Sequence, residues 1–219
     1  MSDPGPTSTA ATETPPGAAE RLVWIDLEMT GLDTEQHTVV EIAVLITDGA
    51  LELVDEGIDL VIHATPAELE RMDDFVRNMH TKSGLLPQIE ASTVSLQDAS
   101  DQVIDYLRTR VPESTAPLCG NSIGVDRRFL DRYLPAVDRY VHYRSIDVSS
   151  LKELCRRWNP AVYKGRPGKR ETHRALDDIR ESIEELRFYR ANMLLPEEPA
   201  DAGPTTPPEP EDGIAADGG

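Results

Sequence analysis

The sequence is short of cysteine and of long apolar segments, and each shortage excludes a class of protein. Its two cysteines, Cys119 and Cys155, are too few and too far apart for a disulfide framework or a zinc knuckle. The longest purely apolar run, from Ile42 to Ile46, has about five residues, whereas a membrane-spanning helix needs roughly 20. No basic stretch followed by an apolar run opens the chain, so no secretory signal is visible. We therefore expect a cytoplasmic protein with reduced thiols and no membrane partner.

Basic residues are also scarce. The chain has 22 Lys and Arg against 40 Asp and Glu, which gives a formal net charge of -18. Long nucleic acid is held through many Lys–phosphate and Arg–phosphate contacts, so we expect no long-duplex nucleic acid partner. Aromatic residues make up only 5% of the chain, which leaves little material for a base-stacking platform. The charge is still compatible with a small phosphate-bearing ligand or with one held through metal ions.

The two ends of the chain differ in composition from the middle. Residues 1–20 are rich in Ser, Thr, Ala, Pro and Gly, and residues 196–219 hold six prolines and seven acids. Neither end has enough apolar side chains to offset the entropy of ordering it, so we predict two disordered tails. The acidic C-terminal tail is either a solubilising or a docking segment. Residues 21–195 would then form one folded domain with 30 acids and 22 bases.

Apolar patterning in this middle region predicts strands first, then alternating strands and helices. The predicted strands cover residues 21–27, 39–47, 117–120 and 141–146, with one or two more between residues 51 and 63. Helical spacing is present over residues 95–111, 125–134 and 150–158, and again from about Thr172 onward. Ser150 and Glu153 have the register of a capping box. This order predicts an α/β domain with a mixed central sheet flanked by helices.

Two carboxylates stand in the first predicted strand, where a central strand should be apolar. Asp26 and Glu28 are two positions apart, so on a strand their side chains face the same way. Burying two like charges costs several kcal/mol per ion, but the pair is tolerable at the carboxyl end of the strand if it binds cations. The alternative is a polar strand end exposed to solvent.

Further acids and a histidine begin two predicted helices. Asp126 follows the glycine-containing turn after the strand of residues 117–120, and His173 precedes Asp177 and Asp178. The helix dipole alone can explain an acid in a first turn. At about 100° per residue, Asp177 shares the face of His173, which favours it slightly over Asp178. Spacing does not decide between the two aspartates.

Together these acids and the histidine indicate a metal site with hydrolytic chemistry. Carboxylate oxygens favour Mg²⁺ or Mn²⁺ over zinc. Two such cations about 3.5–4 Å apart can hold both the attacking and the leaving oxygen of a phosphodiester. A neutral histidine beside them can deprotonate the attacking water.

At these residues the sequence resembles the DEDDh 3′→5′ exonucleases of ribonuclease H-like fold, and most closely the oligoribonuclease family. The resemblance spans about residues 21–191 and leaves both tails outside. The matching segments, in chain order, are residues 24–33 (WIDLEMTGLD), 72–74 (MDD), 80–84 (HTKSG), 119–124 (CGNSIG), 126–130 (DRRFL), 142–144 (HYR), 147–154 (DVSSLKEL) and 173–182 (HRALDDIRES). One departure is Phe75, where relatives often carry Trp; we expect it in the core or beside a base.

The resemblance implies a catalytic set and a substrate set. The final acid of the family stands five residues after its histidine, which selects Asp178 over Asp177. The general base would be His173, and the ligands of two divalent cations, Mg²⁺ or Mn²⁺, would be Asp26, Glu28, Asp126 and Asp178. The substrate set would comprise Leu32 as a wedge between bases, His80 in the substrate pocket, Ser122, Arg144 and Ser149 around the 5′ phosphate, and Tyr143 reaching across from the second subunit of a homodimer.

The implied reaction is hydrolysis of short RNA from the 3′ end. The substrates would be di- to pentanucleotides, especially dinucleotides, and the products 5′-mononucleotides. Alternatives are an exonuclease of the same family acting on longer single strands, and a catalytically silent binding module of the same fold. The substrate residues also have structural alternatives: packing for Leu32 and Tyr143, a surface ion pair for Arg144 and a helix cap for Ser149.

Overall fold

The structure, a computed structural model, describes residue 17 and residues 20–168 and 173–194. Nearly all of both predicted tails, and the helix start expected near Thr172, lie outside these residues. The strands are β1 (Leu22–Met29), β2 (Val39–Thr47), β3 (Ile58–Val61), β4 (Pro117–Gly120) and β5 (His142–Asp147). The helices are α1 (Pro66–Leu69), α2 (Asp74–Lys82), α3 (Leu85–Ala91), α4 (Leu96–Arg108), α5 (Gly124–Tyr133), α6 (Pro135–Tyr140), α7 (Val148–Trp158), α8 (Pro160–Lys164) and α9 (Ala175–Met193).

The five strands form one mixed sheet in the order β3–β2–β1–β4–β5. β1 lies in the middle, antiparallel to β2 and parallel to β4, and β5 continues the parallel half. The predicted mixed sheet flanked by helices is confirmed. Because β1, β4 and β5 are parallel, their carboxyl ends lie at the same edge of the sheet. Several of the predicted site acids and serines lie at or just after these strand ends.

The alternation of side chains along β1 decides what each face of the sheet contacts. Val23, Ile25 and Leu27 belong to an apolar cluster that includes residues of α4 and α5, and burial of each stabilises the fold by about 1.5–3 kcal/mol. Trp24 belongs to the cluster on the opposite face, with residues of α7 and α9. Asp26 shares the parity of Trp24, so it faces α9.

Some predicted details are wrong, for identifiable reasons. α7 begins at Val148, and its cap is Asp147, whose side chain accepts the N–H of Ser149, so the predicted capping box at Ser150 does not form. Residues 51–54 form no strand beyond one bridge between Leu53 and Thr47. α1, α2 and α3 were not predicted, because each is too short to show a repeated helical period. Among the described helices, none has the length and apolarity needed to traverse a bilayer.

Candidate active site

Three carboxylates converge where the end of β1 meets the first turns of α9. Asp26, Glu28 and Asp178 each present an oxygen, and these oxygens all lie within 4.8 Å of one another. Glu28 is buried, and the other two acids are half-buried. We call these three residues the acid group. Packing of α9 on the sheet brings the distant Asp178 to the two acids of β1.

Burial and nearby like charges both raise the pKa of Glu28 in the acid group. Burial, followed by the charges of Asp178, Glu41 and Asp126, raises the pKa of Glu28 from 4.5 to about 8, and Arg174 lowers it only in part. A bound divalent cation would remove this repulsion by supplying the missing positive charge. Three mutually repelling hard oxygen donors therefore fit Mg²⁺ or Mn²⁺.

Asp126 lies beside the acid group but outside its 4.8 Å limit. It stands in the first turn of α5, is 7% exposed, and accepts the N–H of Leu27 at 3.2 Å through Oδ1. Burial raises its pKa to about 6 against the opposing effect of backbone hydrogen bonds. Leu27 lies between Asp26 and Glu28 in β1, so this hydrogen bond fixes the carboxylate of Asp126 at the end of that strand.

The structure places Asp178, and not Asp177, in the acid group. Asp177 is about half exposed and pairs with Arg180 at 3.6 Å. The spacing argument that favoured Asp177 assumed that His173 is helical. His173 instead precedes α9 with a left-handed φ of 49°, so its direction does not follow from the helical period.

Glu41 and Arg174 form a buried ion pair that sequence reasoning missed. Glu41 is fully buried on β2, opposite Glu28 in the register of β1 and β2. Its Oε1 accepts from Arg174 Nε at 2.8 Å, and its Oε2 accepts the N–H of Ala175 at 3.1 Å. The signal that could have found Glu41 is its position as an acid inside the apolar run of β2, the same anomaly that singled out Asp26.

Leu32 is exposed in the turn that follows β1. Leu32 is 69% exposed, so it does not pack in the core of the chain. Gly31, with a φ of 157°, precedes it, and a Cβ at Gly31 would lie 2.6 Å from the ring of His37. A larger residue at Gly31 would have to displace that ring, so glycine allows the close approach of the turn to His37.

His80 of α2 is fully buried against the end of β1. Its Nε2 donates to the carbonyl of Met29 at 2.9 Å, while Nδ1 lies 3.9 Å from Glu28 Oε2 and has no hydrogen-bond partner among the residues that the structure describes. Burial is the largest cause that lowers the pKa of His80, which favours the neutral ring. Phe75, at the other end of α2, is 74% exposed, so it does not lie in the core, and a position beside a base stays a prediction.

The serines predicted around the 5′ phosphate share one acceptor. Ser122 follows β4, Ser149 lies in the first turn of α7, and both donate to Oδ1 of Asp147. Tyr143 and Arg144 project from the sheet edge β5, where both are exposed. Packing does not explain Tyr143, which is 73% exposed, and within the described part of the chain no carboxylate pairs with Arg144.

Comparison with known proteins identifies the family. A family model described as exonuclease matches residues 23–186. The oligoribonuclease of Corynebacterium diphtheriae is 57% identical over 177 residues, which cover 80% of this chain and 84% of that protein. That of Mycobacterium tuberculosis is 52% identical over 188 residues, which cover 85% of this chain and 86% of that protein. The chain belongs to the oligoribonuclease family.

Solved exonuclease I structures show the same fold at low identity. Apo exonuclease I has a TM-score of 0.59 at 15% identity, covering 78% of this chain and 42% of that one. Escherichia coli exonuclease I in complex with a dA16 oligonucleotide has a TM-score of 0.57 at 16% identity and covers 78% of this chain. This chain spans about two fifths of those exonuclease chains. The expected ribonuclease H-like fold is confirmed.

Membership of the oligoribonuclease family establishes the class of reaction. The chain is a metal-dependent exoribonuclease, which is a phosphodiester hydrolase. The alternative of a catalytically silent binding module is therefore not supported. The acid group lies within the part of the chain that the exonuclease model matches.

Proposed function

We propose that this member of the oligoribonuclease family hydrolyses di- to pentanucleotides of RNA, dinucleotides above all, from the 3′ end to 5′-mononucleotides. The observation that carries the proposal is the acid group, three carboxylates within 4.8 Å in a chain that belongs to this family. We place the reaction in the cytoplasm, in keeping with two cysteines that are free and buried.

The proposed ligands of two divalent cations, Mg²⁺ or Mn²⁺, are the acid group and Asp126. When bound, such a pair supplies Lewis-acid stabilisation to the attacking and leaving oxygens of a phosphodiester. The raised pKa values of Glu28 and Asp126 support this assignment. Burial disfavours the charged form of both carboxylates, and a bound cation would stabilise that form. We assign no protein side chain other than these four acids to the cations.

His173 is the proposed general base. Its neutral imidazole has a lone pair that can take the proton of the attacking water. Arg174 and Ala175, which follow it directly, are both bonded to the buried Glu41, so the backbone next to His173 is fixed to the sheet. His173 itself has a left-handed backbone, but the two residues that follow it are fixed to β2.

The substrate is short because the proposed site ends at a 5′-phosphate pocket. Ser122, Ser149 and Arg144 would bind that phosphate, with Arg144 able to do so bidentately. Leu32 would separate the bases, and His80 would line the pocket from α2. Tyr143 would come from the partner of a homodimer, which is supported by its exposure on the edge strand β5.

The experiment is a time course on 5′-phosphorylated di- to heptanucleotides and a twenty-mer, with Mn²⁺ and with chelator. We expect Mn²⁺-dependent release of mononucleotides, fastest from the dinucleotide. A strong preference for the twenty-mer would instead assign the chain to the exonucleases of longer strands. Asp26→Asn should abolish the release, and an unchanged rate would mean that a contaminating nuclease produces it.

A further inference from the structure

Asp147 joins three segments around the proposed 5′-phosphate pocket. It is the last residue of β5 and the cap of α7, and it pairs with Gly120 in the parallel register of β4 and β5. Its Oδ1 accepts from Ser122 N at 2.9 Å, from Ser149 N at 2.9 Å and from Ser149 Oγ at 2.5 Å. One carboxylate oxygen therefore holds the turn after β4 and the start of α7 together.

The turn after β4 needs such a restraint. Ser122 has a φ of 57°, a left-handed conformation that a residue with a Cβ adopts only when its surroundings hold it. The preceding Asn121 is fixed to α9, since its Nδ2 donates to Ser182 Oγ at 2.9 Å and to Glu185 Oε2 at 3.2 Å. The bond to Asp147 is the corresponding restraint on the side of α7.

We propose that Asp147 is a positioning residue that sets the separation of Ser122 and Ser149 and thereby makes the site selective for a 5′-phosphorylated end. The inference rests on the proposed function, which assigns these two serines to the 5′ phosphate. Asp147 acts through the backbone N–H groups of the two serines, and phosphate binding would turn the hydroxyl hydrogen of Ser149 from Asp147 towards the phosphate. The first turn of α7, an 11-residue helix, adds the positive end of its dipole at the same place.

The test compares binding of one RNA dinucleotide in its 5′-phosphorylated and 5′-hydroxyl forms, with EDTA present so that no hydrolysis occurs. We expect the wild-type chain to prefer the phosphorylated form. Asp147→Ala should reduce that preference about tenfold, because hydrogen bonds to a charged phosphate are lost when the serines move apart. Hydrolysis with Mn²⁺ should show the same change in KM for the phosphorylated dinucleotide only.

Two further variants separate positioning from folding. Asp147→Ser keeps a good cap for α7 but is too short to reach Ser122, so it should lose the preference as well. Asp147→Asn keeps the length and the acceptor oxygen and should retain most of it. Ser95→Ala removes the cap of α4, which carries none of the proposed site residues, and should leave the preference unchanged.

The outcomes distinguish this inference from the proposed function. A wild-type chain without any phosphate preference would overturn both the 5′-phosphate pocket and the role of Asp147. A wild-type preference that persists in Asp147→Ser would overturn the inference alone. If Asp147→Ala does not fold, the comparison of Asp147→Ser with Asp147→Asn decides, and equal losses in those two would also contradict positioning.

Discussion

Glu28 is a side chain whose burial opposes folding and to which we assign a proposed role as a metal ligand. Glu28 is buried among other carboxylates, and the pKa of its carboxyl is raised to about 8. Its nearest basic neighbours offset this only in part, since Arg174 is also paired with Glu41 and burial lowers the pKa of His80. Such an arrangement persists in a folded chain when a bound cation completes it.

The choice between the two adjacent aspartates of α9 is directly testable. Asp178→Asn removes a carboxylate from the acid group, and we expect it to lower kcat/KM by about a hundredfold or more, since a metal ligand is worth several kcal/mol. Asp177→Asn is the matched control, because Asp177 is about half exposed and bonded to Arg180. Equal losses in the two variants on a 5′-phosphorylated dinucleotide would contradict the assignment.

The raised pKa of Glu28 predicts a pH dependence of stability in the metal-free chain. The folded state binds this proton more tightly than the unfolded state, whose pKa is near 4.5. The associated stabilisation is complete below about pH 4.5 and is lost as the pH rises through about 8. With chelator present, we therefore expect the wild-type melting temperature to fall relative to that of Glu28→Gln between pH 5 and pH 8.

Thermal unfolding of both proteins across this pH range measures the effect. Exposed Glu70→Gln serves as the control and should follow the wild type throughout. Addition of Mn²⁺ at pH 8 should raise the wild-type melting temperature more than that of Glu28→Gln. Parallel pH curves for wild type and Glu28→Gln would show that burial of this carboxyl does not govern its protonation.

At the scale of elements, the decisive contact is the one that fastens the start of α9 to the sheet. Arg174 bonds to Glu41 of β2, lies 3.8 Å from Asp59 of β3, and donates to Gln88 of α3 at 3.3 Å. His173 directly precedes Arg174, and the first turn of α9, which contains Asp178, directly follows it. One ion pair therefore positions both the proposed base and one member of the acid group.

Removing one partner of this ion pair should be costly. Arg174→Met leaves Glu41 fully buried without its cation, and we expect the free energy of unfolding to fall by about 3–5 kcal/mol. Adding Glu41→Gln to the same chain should restore most of the loss, because the uncompensated charge is gone. Urea denaturation measures both changes.

An exposed pair in the same chain provides the comparison. Arg108 pairs with Asp105 at 3.4 Å, and both side chains are largely exposed, so Arg108→Met should change stability by less than about 1 kcal/mol. If the effects of Arg174→Met and Glu41→Gln simply add, the two side chains are not energetically coupled and the anchor does not exist.

Sequence patterns predicted the elements that have long apolar periods and missed features set by distant contacts. β1, β2, α4 and α9 were predicted within a few residues, and the two-residue period correctly put Asp26 and Glu28 on one face. The cap of α7 was wrong, because Asp147 and Ser150 are both residue types that cap helices and the local pattern does not choose between them. The choice of Asp178 over Asp177 depended on the family resemblance. Helical spacing could not make it, because His173 has a left-handed backbone and is not part of α9.

At the scale of the whole molecule, the sheet ends in a strand that exposes two of the proposed substrate residues, Tyr143 and Arg144. β5 is the last strand of the sheet, and three successive residues, 143–145, are exposed on it. An unprotected edge strand is a natural surface for a second chain. Residues 21–195 hold 30 acids and 22 bases, so more than half of the net charge of -18 lies on residues outside the region that contains β5.

If Tyr143 acts in the site of the partner subunit, two inactive variants should complement each other. Asp26→Asn lacks an acid but keeps Tyr143, whereas Tyr143→Ala keeps every acid but supplies no tyrosine to its partner. A mixed dimer would contain one complete site, formed by the acids of one chain and the tyrosine of the other. With random mixing, half of the dimers are mixed and each has one active site of two, so about a quarter of wild-type activity should return.

The measurement is dinucleotide hydrolysis before and after the two purified variants exchange subunits, with light scattering to confirm that each variant is a dimer. A Tyr143 that acts within its own chain gives a different result, because the chain with intact acids still lacks its tyrosine in every mixed dimer. Activity would then remain at the average of the two separate variants. Such a result, in dimers shown to have exchanged, would contradict the proposal that Tyr143 acts in the site of the partner subunit.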